Sequence, residues 1–342
     1  MDVNEFKAKI KSDSVGGCYI FVGEEDYLKR YYLGELRDTV VGDATLAAFN
    51  HALYEGAEID FARISDDIKS PPVFAEYKLI EWRYPNIDKM KESELVLLEN
   101  TLELLSDYPY AVFALIVADG DITLGVGKKE GKFEKRFKDK LNLLNFPKST
   151  EAQLISWLKR HFDTYSVGVT ADVLRELIFR SGHSMSVLNF EVDKLAFLAL
   201  SRGKTSVSSE DVKEAASSTP ECDTFALSNA ILDRNKAGAY YALDEMKSHR
   251  LDPLVILGMM AKTYSELVNV IMMQSDGMDA SDIATALGMN PYRLKLYISA
   301  SRKFTKERAS RVAEELVRVD TGAKFGGITG YTAIEIFIAK CV

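Results

Sequence analysis

The sequence predicts an α/β domain with a parallel sheet, followed by all-α domains, and three observations support this fold class. Short apolar segments at residues 19–22, 78–82 and 111–118 are typical of strands buried in a parallel sheet. Helical periodicity separates these segments, which is the alternation expected of an α/β domain. From Pro147 onward the strand signal disappears. We therefore expect an α/β domain at residues 1–146 and helical domains at residues 147–217 and 218–342.

The first predicted strand ends at Gly23 and leads directly into a helix. Three carboxylates occupy the predicted first turn, where they suit the positive end of the helix dipole: Glu24, Glu25 and Asp26. Apolar residues then recur every four positions: Leu28, Tyr32, Leu36 and Val40. Ser93 is predicted to cap the helix that follows the second strand. Strand, helix, strand, helix and strand together predict a parallel sheet covered by helices.

The second half carries helix signals only. Residues able to cap helices precede apolar periodic segments: Thr150, Thr170 and Ser208. A further helix is predicted around Met185–Leu195, and residues 217–220 are the predicted linker between the two helical domains. Breaks are expected at residues 251–253, 288–291 and 326–327, where Gly or Pro interrupts the pattern.

Composition excludes several classes of protein. A chain of 342 residues is too long for a single hydrophobic core and predicts two or three domains. Its net charge of −8 argues against a protein that coats DNA electrostatically. No apolar run long enough to span a membrane and no signal peptide is evident. The three cysteines are far apart and form no CxxC pair, so we expect neither zinc nor disulfides, and a reducing cytoplasm.

The turn after the first strand has the position of a phosphate-binding loop without its chemistry. Gly23 is present, and Lys29 stands where the loop lysine would stand. Leu28 replaces the second glycine, however, and Arg30 replaces the Ser or Thr that would bind magnesium. The carboxylates of Glu24, Glu25 and Asp26 would also repel a polyphosphate. We therefore expect no nucleotide at this degenerate phosphate loop.

No other motif predicts catalysis. Asp119 and Asp121 follow the third predicted strand, where a magnesium site is conceivable, but a strand-ending turn is the favoured interpretation. The glycines at residues 125–131 have the wrong spacing for a dinucleotide fingerprint and predict a flexible loop. We expect no catalytic residues, no metal and no cofactor.

A resemblance to one family extends along nearly the whole chain. Each motif is weak alone, but their order and spacing are specific. The segments that carry it are residues 19–28 (YIFVGEEDYL), 72–80 (PVFAEYKLI), 182–195 with its Gly-His-Ser-Met start, 225–231 (FALSNAI), 252–254 (DPL), 287–292 (LGMNPY) and 320–322 (DTG) with Glu335. Where the family usually has Asn and Asp, this chain has His183 and Ser184. On these motifs the chain resembles the delta subunit of the bacterial DNA polymerase III clamp loader.

The resemblance implies an AAA+-like α/β domain, a helical lid-like domain and a helical collar domain that binds the other subunits. It further implies a subunit of the cytoplasmic bacterial replisome that binds no nucleotide, leaves ATP to partner motor subunits, and opens the sliding clamp for loading onto primed DNA. No membrane partner is expected.

Val73 and Phe74 are the clamp-binding residues that the resemblance implies. On the residues alone, both would be core residues of a connecting turn. Ser70 is a plausible N-cap and Pro71 suits a first helical position, so a short rigid helix is predicted to present the two side chains.

Two weaker DNA-contact candidates follow. Residues 128–140 hold seven basic and three acidic side chains, and a solvated helix face is the favoured interpretation over a DNA or partner contact. Tyr292, with neighbouring Arg293 and Lys295, is a candidate for stacking on a terminal base, although plain packing is favoured.

Two other functions stay open on the sequence. One is an ATP-binding AAA+ relative with a degenerate phosphate loop, which nucleotide titration would detect. The other is a helical scaffold unrelated to replication, which would have no affinity for a sliding clamp.

Overall fold

The computed structural model describes residues 1–42, 44–57, 59–125, 129–325, 327 and 330–342. The chain divides into two compact units, Met1–Thr150 and Glu151–Val342. The first unit contains the sheet and the second is helical, so the predicted fold class, α/β followed by all-α, is confirmed. The predicted division of the helical half at residues 217 and 218 lies inside the second unit and stays a prediction.

The first unit is built on one five-stranded parallel sheet in the order β2-β3-β4-β1-β5. Its strands are β1 (Gly17–Val22), β2 (His51–Glu55), β3 (Lys78–Arg83), β4 (Ala111–Ile116) and β5 (Asn142–Asn145). Its helices are α1 (Val3–Lys11), α2 (Asp26–Val41), α3 (Ala47–Asn50), α4 (Phe61–Lys69), α5 (Glu92–Leu104) and α6 (Lys132–Phe137). Short 3-10 turns occupy Ala44–Leu46 and Ile87–Lys89.

Strand β1 lies inside the sheet and is buried on both faces. Ile20 and Val22 pack into the core on one face, whereas Tyr19 and Phe21 pack into the core on the other. This two-sided burial explains the continuous apolar run, since both alternating sets of side chains are removed from water. The sequence predicted β1, β3 and β4 but neither β2 nor β5, which form the two edges of the sheet.

Two local predictions in this unit need correction. Helix α5 begins at Glu92 with Lys91 at the N-cap, so Ser93 lies inside the helix. Helix α2 begins at Asp26 with Glu25 at the N-cap, so only one of the three predicted carboxylates stands in the first turn. In both places several polar residues in a row offered alternative starts, and helix boundaries are the least determined part of such patterns.

The second unit consists of helices over its described residues. They are α7 (Glu151–Thr164), α8 (Ala171–Ser181), α9 (Met185–Ser201), α10 (Ser209–Ala215), α11 (Pro220–Leu232), α12 (Lys236–Ser248), α13 (Pro253–Ser275), α14 (Ala280–Leu287), α15 (Pro291–Ser301), α16 (Lys306–Phe325) and α17 (Tyr331–Cys341). The predicted caps are confirmed at Thr170, whose hydroxyl accepts from the Val173 amide, and at Ser208, which forms a capping box with Asp211. Pro220 is the first residue of α11, so the predicted linker ends inside a helix. The predicted break at residues 326–327 includes Gly326, which is outside the described residues.

Helix α13 is long and apolar enough to cross a membrane by length and composition, although Lys262 and Glu266 interrupt its apolar residues. Its apolar side chains instead contribute to the core of the helical unit, among them Leu257, Met260 and Leu267. A central core helix passes the same test as a membrane span, because it too is surrounded by apolar groups.

Candidate functional site

The most exposed large apolar side chain at a predicted site is that of Phe74. It is 93% exposed, and Val73 beside it is 37% exposed. Both belong to the segment that joins α4 to β3, residues 71–77, which we call the wedge loop. Phe74 has φ +54°, a left-handed backbone conformation that is uncommon for a bulky residue and often marks functional sites. The turn directs an aromatic ring into solvent. Both the left-handed backbone of Phe74 and the exposure of its apolar ring to water are energetically unfavourable.

The predicted short helix at this segment is wrong. Ser70 is the C-cap of α4, not the N-cap of a new helix, and residues 71–77 are non-helical. Two prolines follow Ser70, and a residue that precedes proline is disfavoured in helical conformation. Ser70 accordingly has extended backbone angles, and the chain leaves the helix there.

The wedge loop is held by a buried side chain that sequence reasoning missed. Asn50, at the end of α3, is fully buried and pairs with both backbone groups of Val73. The Val73 amide donates to Asn50 Oδ1 at 2.7 Å, and Asn50 Nδ2 donates to the Val73 carbonyl at 2.8 Å. The backbone immediately before Phe74 is therefore fixed from inside the domain. A lone asparagine 23 residues upstream gives no sequence signal for this role.

At the degenerate phosphate loop, Gly23 is required by the backbone. It has φ +102°, and a Cβ atom there would lie 2.4 Å from the Phe146 carbonyl oxygen. The same carbonyl accepts the Glu25 amide at 3.0 Å, while the Phe146 amide donates to the Val22 carbonyl at 2.8 Å. In a phosphate-binding loop, backbone amides face the anion. Here the Glu25 amide is already bonded to the segment that follows β5.

Lys29 is also occupied by the protein itself. Its side chain is fully buried, and its Nζ donates to the Val117 carbonyl at 2.8 Å and pairs with Asp26 at 2.7 Å. Glu25 is buried as well, and this burial raises the pKa of its carboxyl group. Glu24 is exposed. Lys29 and Asp26 of the degenerate phosphate loop thus form an ion pair within the chain, and Glu25 is buried.

The candidate metal site has a structural explanation. Asp121 accepts a hydrogen bond from the Asn86 side chain, and its amide donates to the Ala118 carbonyl in a turn. Within the described ranges, no group of three or more His, Cys, Asp or Glu side chains is placed to hold a metal ion.

Half of the described basic residues at positions 129–140 are neutralised by carboxylates. Arg136 pairs with Glu92 and Glu99, Lys138 with Glu130, and Lys140 with Glu99 and Glu103. Lys128 is outside the described residues. Such pairing is typical of a solvated helix face, and a DNA contact there stays a prediction.

Tyr292 packs within the helical unit. Its ring lies 5.7 Å from that of Phe179, and burial raises the pKa of its hydroxyl group. Arg293 pairs with Glu221 at 2.7 Å and Glu266 at 2.6 Å, whereas Lys295 is exposed. These contacts favour a structural role for Tyr292 and Arg293, and base stacking by Tyr292 stays a prediction.

Comparison with known proteins gives consistent matches over both halves of the chain. A family model described as DNA polymerase III, delta subunit, matches residues 19–123, and one described as DNA polymerase III delta subunit, C-terminal domain, matches residues 221–341. The DNA polymerase III subunit delta of Bacillus subtilis (strain 168) is 21% identical over 340 residues, which cover 97% of this chain and 94% of that protein.

Among solved structures, the Bacillus subtilis DNA clamp loader delta protein YqeN matches with a TM-score of 0.56 and 20% identity over 99% of both chains. The Thermotoga maritima RuvB Holliday junction branch migration motor matches with a TM-score of 0.40 and 10% identity, over 86% of this chain and 83% of that one.

Proposed function

Since the chain belongs to the DNA polymerase III delta-subunit family, we propose that it is the clamp-loader subunit that binds the sliding clamp and favours ring opening. In this proposal Val73 and Phe74 form an apolar wedge that inserts into a hydrophobic pocket on the clamp. The chain acts without catalysis of its own in the bacterial cytoplasm. It assembles with the ATPase and other subunits of the clamp loader through its collar, residues 218–342. The assembled complex loads the sliding clamp onto primed DNA.

The observation that carries this proposal is the combination of an exposed ring and a fixed backbone. Phe74 is 93% exposed although its neighbour Val73 is tied to a buried asparagine. An apolar side chain kept in water on an ordered loop is a feature of interaction sites, because ordering before binding reduces the entropy lost on association. A mobile loop would have to lose that entropy when it binds.

The wedge has enough surface to matter energetically. Complete burial of a Phe side chain contributes about 1.5–3 kcal/mol, and the partly exposed Val73 contributes less. Truncation of Phe74 therefore corresponds to roughly a 10- to 150-fold loss of affinity. Only the share of this free energy that the distorted clamp gains over the closed ring shifts the opening equilibrium.

The absence of nucleotide chemistry in this proposal is supported by the degenerate phosphate loop. The Glu25 amide is bonded to Phe146, and Lys29 is bonded to Val117 and Asp26, so a polyphosphate would have to displace three partners within the chain. An ATP-binding AAA+ relative is the alternative, and saturable binding of ATP by this chain, lost on Lys29→Met, would favour it.

The test is calorimetric titration of the chain with the sliding clamp of the same organism. Phe74→Ala is expected to weaken clamp binding by at least tenfold and leave assembly with the other clamp-loader subunits intact. Phe190→Ala, which removes a ring that is 71% exposed on α9, is the matched control and should bind the clamp normally. Unchanged affinity of Phe74→Ala would refute the wedge. A chain with no affinity for the clamp would refute the proposed function.

A further inference from the structure

A cavity of about 280 Å³ in the first unit is lined by three arginines and no acidic residue. The lining residues are Arg30, Leu33, Arg37, Arg83, Tyr84 and Ile116. No residue of the wedge loop lines the cavity, and the residue that it shares with the degenerate phosphate loop is Arg30, at the position of the motif's Ser or Thr. The three guanidinium groups make this cavity locally basic, although the net charge of the chain is −8.

The fold brings these residues together from one helix and two adjacent strands. Arg30, Leu33 and Arg37 share one face of α2 at helical spacing, and α2 packs on β3 and β4. Arg83 ends β3 and Tyr84 follows it directly, at the carboxyl edge of the parallel sheet. The Tyr84 amide donates to the Ile116 carbonyl at 2.8 Å, which fixes this corner against β4. Ligands of open α/β sheets commonly bind at the carboxyl edge.

One buried carboxylate below the cavity holds two of the arginines. Glu81 is fully buried, and it accepts from Arg37 at 3.0 and 3.3 Å, from Arg83 and from His51. Both carboxylate oxygens of Glu81 thus already accept hydrogen bonds. The single negative charge of Glu81 offsets only one of the three guanidinium charges. Glu81 positions Arg37 and Arg83 rather than filling the cavity.

Donors remain available after these contacts. The Nε atom of Arg37 is buried and has no hydrogen-bond partner among the residues that the structure describes. Arg30 makes one long hydrogen bond, 3.3 Å, to the Tyr84 hydroxyl group. A buried donor without a partner destabilises the protein unless a ligand or water completes it. Planar guanidinium groups match the oxygens of phosphate with paired hydrogen bonds.

We propose that this cavity binds a phosphate-class oxyanion, either free phosphate or pyrophosphate or a phosphate group of a nucleic-acid strand. Arg30 and Arg37 donate from the helix side, Arg83 donates from the sheet side, and Leu33 and Ile116 form the apolar floor. The volume of the cavity is sufficient for one or two phosphoryl groups. The site does not depend on the proposed clamp-binding function, since no residue of the wedge loop contributes to it.

The experiment is calorimetric titration of the full chain with pyrophosphate, inorganic phosphate and a short single-stranded oligonucleotide, at constant ionic strength with chloride as the reference anion. We expect one saturable site for at least one of these ligands. Arg30→Gln should weaken binding by about tenfold or more, because it removes a charge-assisted hydrogen bond. Arg160→Gln, an exposed arginine on α7, is the matched control and should bind like the parent chain.

The two sources of phosphate give different results. Saturable binding of phosphate or pyrophosphate identifies the ligand as a free anion, whereas saturable binding of the oligonucleotide alone identifies it as a phosphate group of a strand. In either case Arg30→Gln must weaken the binding. Tyr84→Phe is a second variant that leaves the charges and the Glu81 network intact, and it should weaken the same ligand less than Arg30→Gln does. No saturable binding above chloride, or equal binding by Arg30→Gln and the parent chain, would overturn the proposal.

Discussion

Asn50→Ala should weaken clamp binding without changing any atom that touches the clamp. The variant removes both hydrogen bonds between the Asn50 side chain and the Val73 backbone, at 2.7 and 2.8 Å. Because Asn50 is fully buried, the loss leaves two backbone groups of the wedge loop without partners unless the loop moves toward water. We expect the loop to move, since Val73 and Phe74 lie at the surface.

The magnitude follows from those two bonds. Each contributes about 0.5–1.5 kcal/mol net, so together they hold the loop with about 1–3 kcal/mol. If the clamp must restore this order on binding, affinity falls by roughly 5- to 150-fold. Asn50→Asp keeps an acceptor for the Val73 amide, but it places a carboxylate at a fully buried position opposite the Val73 carbonyl and should weaken binding at least as much as Asn50→Ala.

Two measurements together test this expectation: clamp affinity by calorimetry and hydrogen exchange of the Val73 amide. Exchange of the Val73 amide should accelerate and clamp affinity should fall in both Asn50→Ala and Asn50→Asp. Asn269→Ala, an exposed position on α13, is the control and should alter neither. Faster exchange at Val73 with unchanged clamp affinity would show that the fixed backbone is irrelevant to binding.

Two further predictions concern the sheet. Gly23→Ala should lower the free energy of unfolding by about 2 kcal/mol or more, because Ala is strained at φ +102° and its Cβ would meet the Phe146 carbonyl. The control is Gly34→Ala inside α2, where the new Cβ meets nothing within 4 Å, and it should raise the free energy of unfolding by about 0.5–1 kcal/mol. Urea unfolding distinguishes these results, and equal stabilities would contradict the backbone role of Gly23. Burial would by itself raise the pKa of Glu81, but hydrogen bonds from His51 and Arg83 and the charge of Arg37 lower it from 4.5 to about 2. Its stabilising contribution is therefore present above pH 4.5 and is lost as the pH falls toward 2, so between pH 7 and pH 3 the parent chain should lose about 2 kcal/mol more than Glu81→Gln. Parallel losses in urea titrations at the two pH values would refute this.

The sequence predicted the elements whose burial is complete and missed those at the margins. β1 and β4 are buried on both faces and give continuous apolar runs. β2 is partly exposed and β5 has only four residues, so neither shows a clear pattern. Edge strands obtain much of their stability from one neighbouring strand, and that pairing has no local signature.

The sequence named Val73 and Phe74 as candidates, but it did not indicate how the wedge loop that carries them is held. The two prolines at residues 71 and 72 are compatible with either the start or the end of a helix. Which of the two occurs depends on the preceding helix α4, which is held by the buried residues Ile64 and Ile68 and ends at Lys69. The roles of Asn50 and of the arginines around the 280 Å³ cavity depend on contacts between segments far apart in the chain.

The internal ion pair of Lys29 has a consequence for protein engineering. Installing glycine at position 28 and threonine at position 30 would recreate the letters of a nucleotide-binding motif, yet the ammonium group would still face the Val117 carbonyl and Asp26. The Glu25 amide in this turn would also still donate its hydrogen bond to the Phe146 carbonyl. A chain of this sequence with the motif restored would therefore still need a rebuilt end of the sheet before its backbone and its lysine could face a nucleotide.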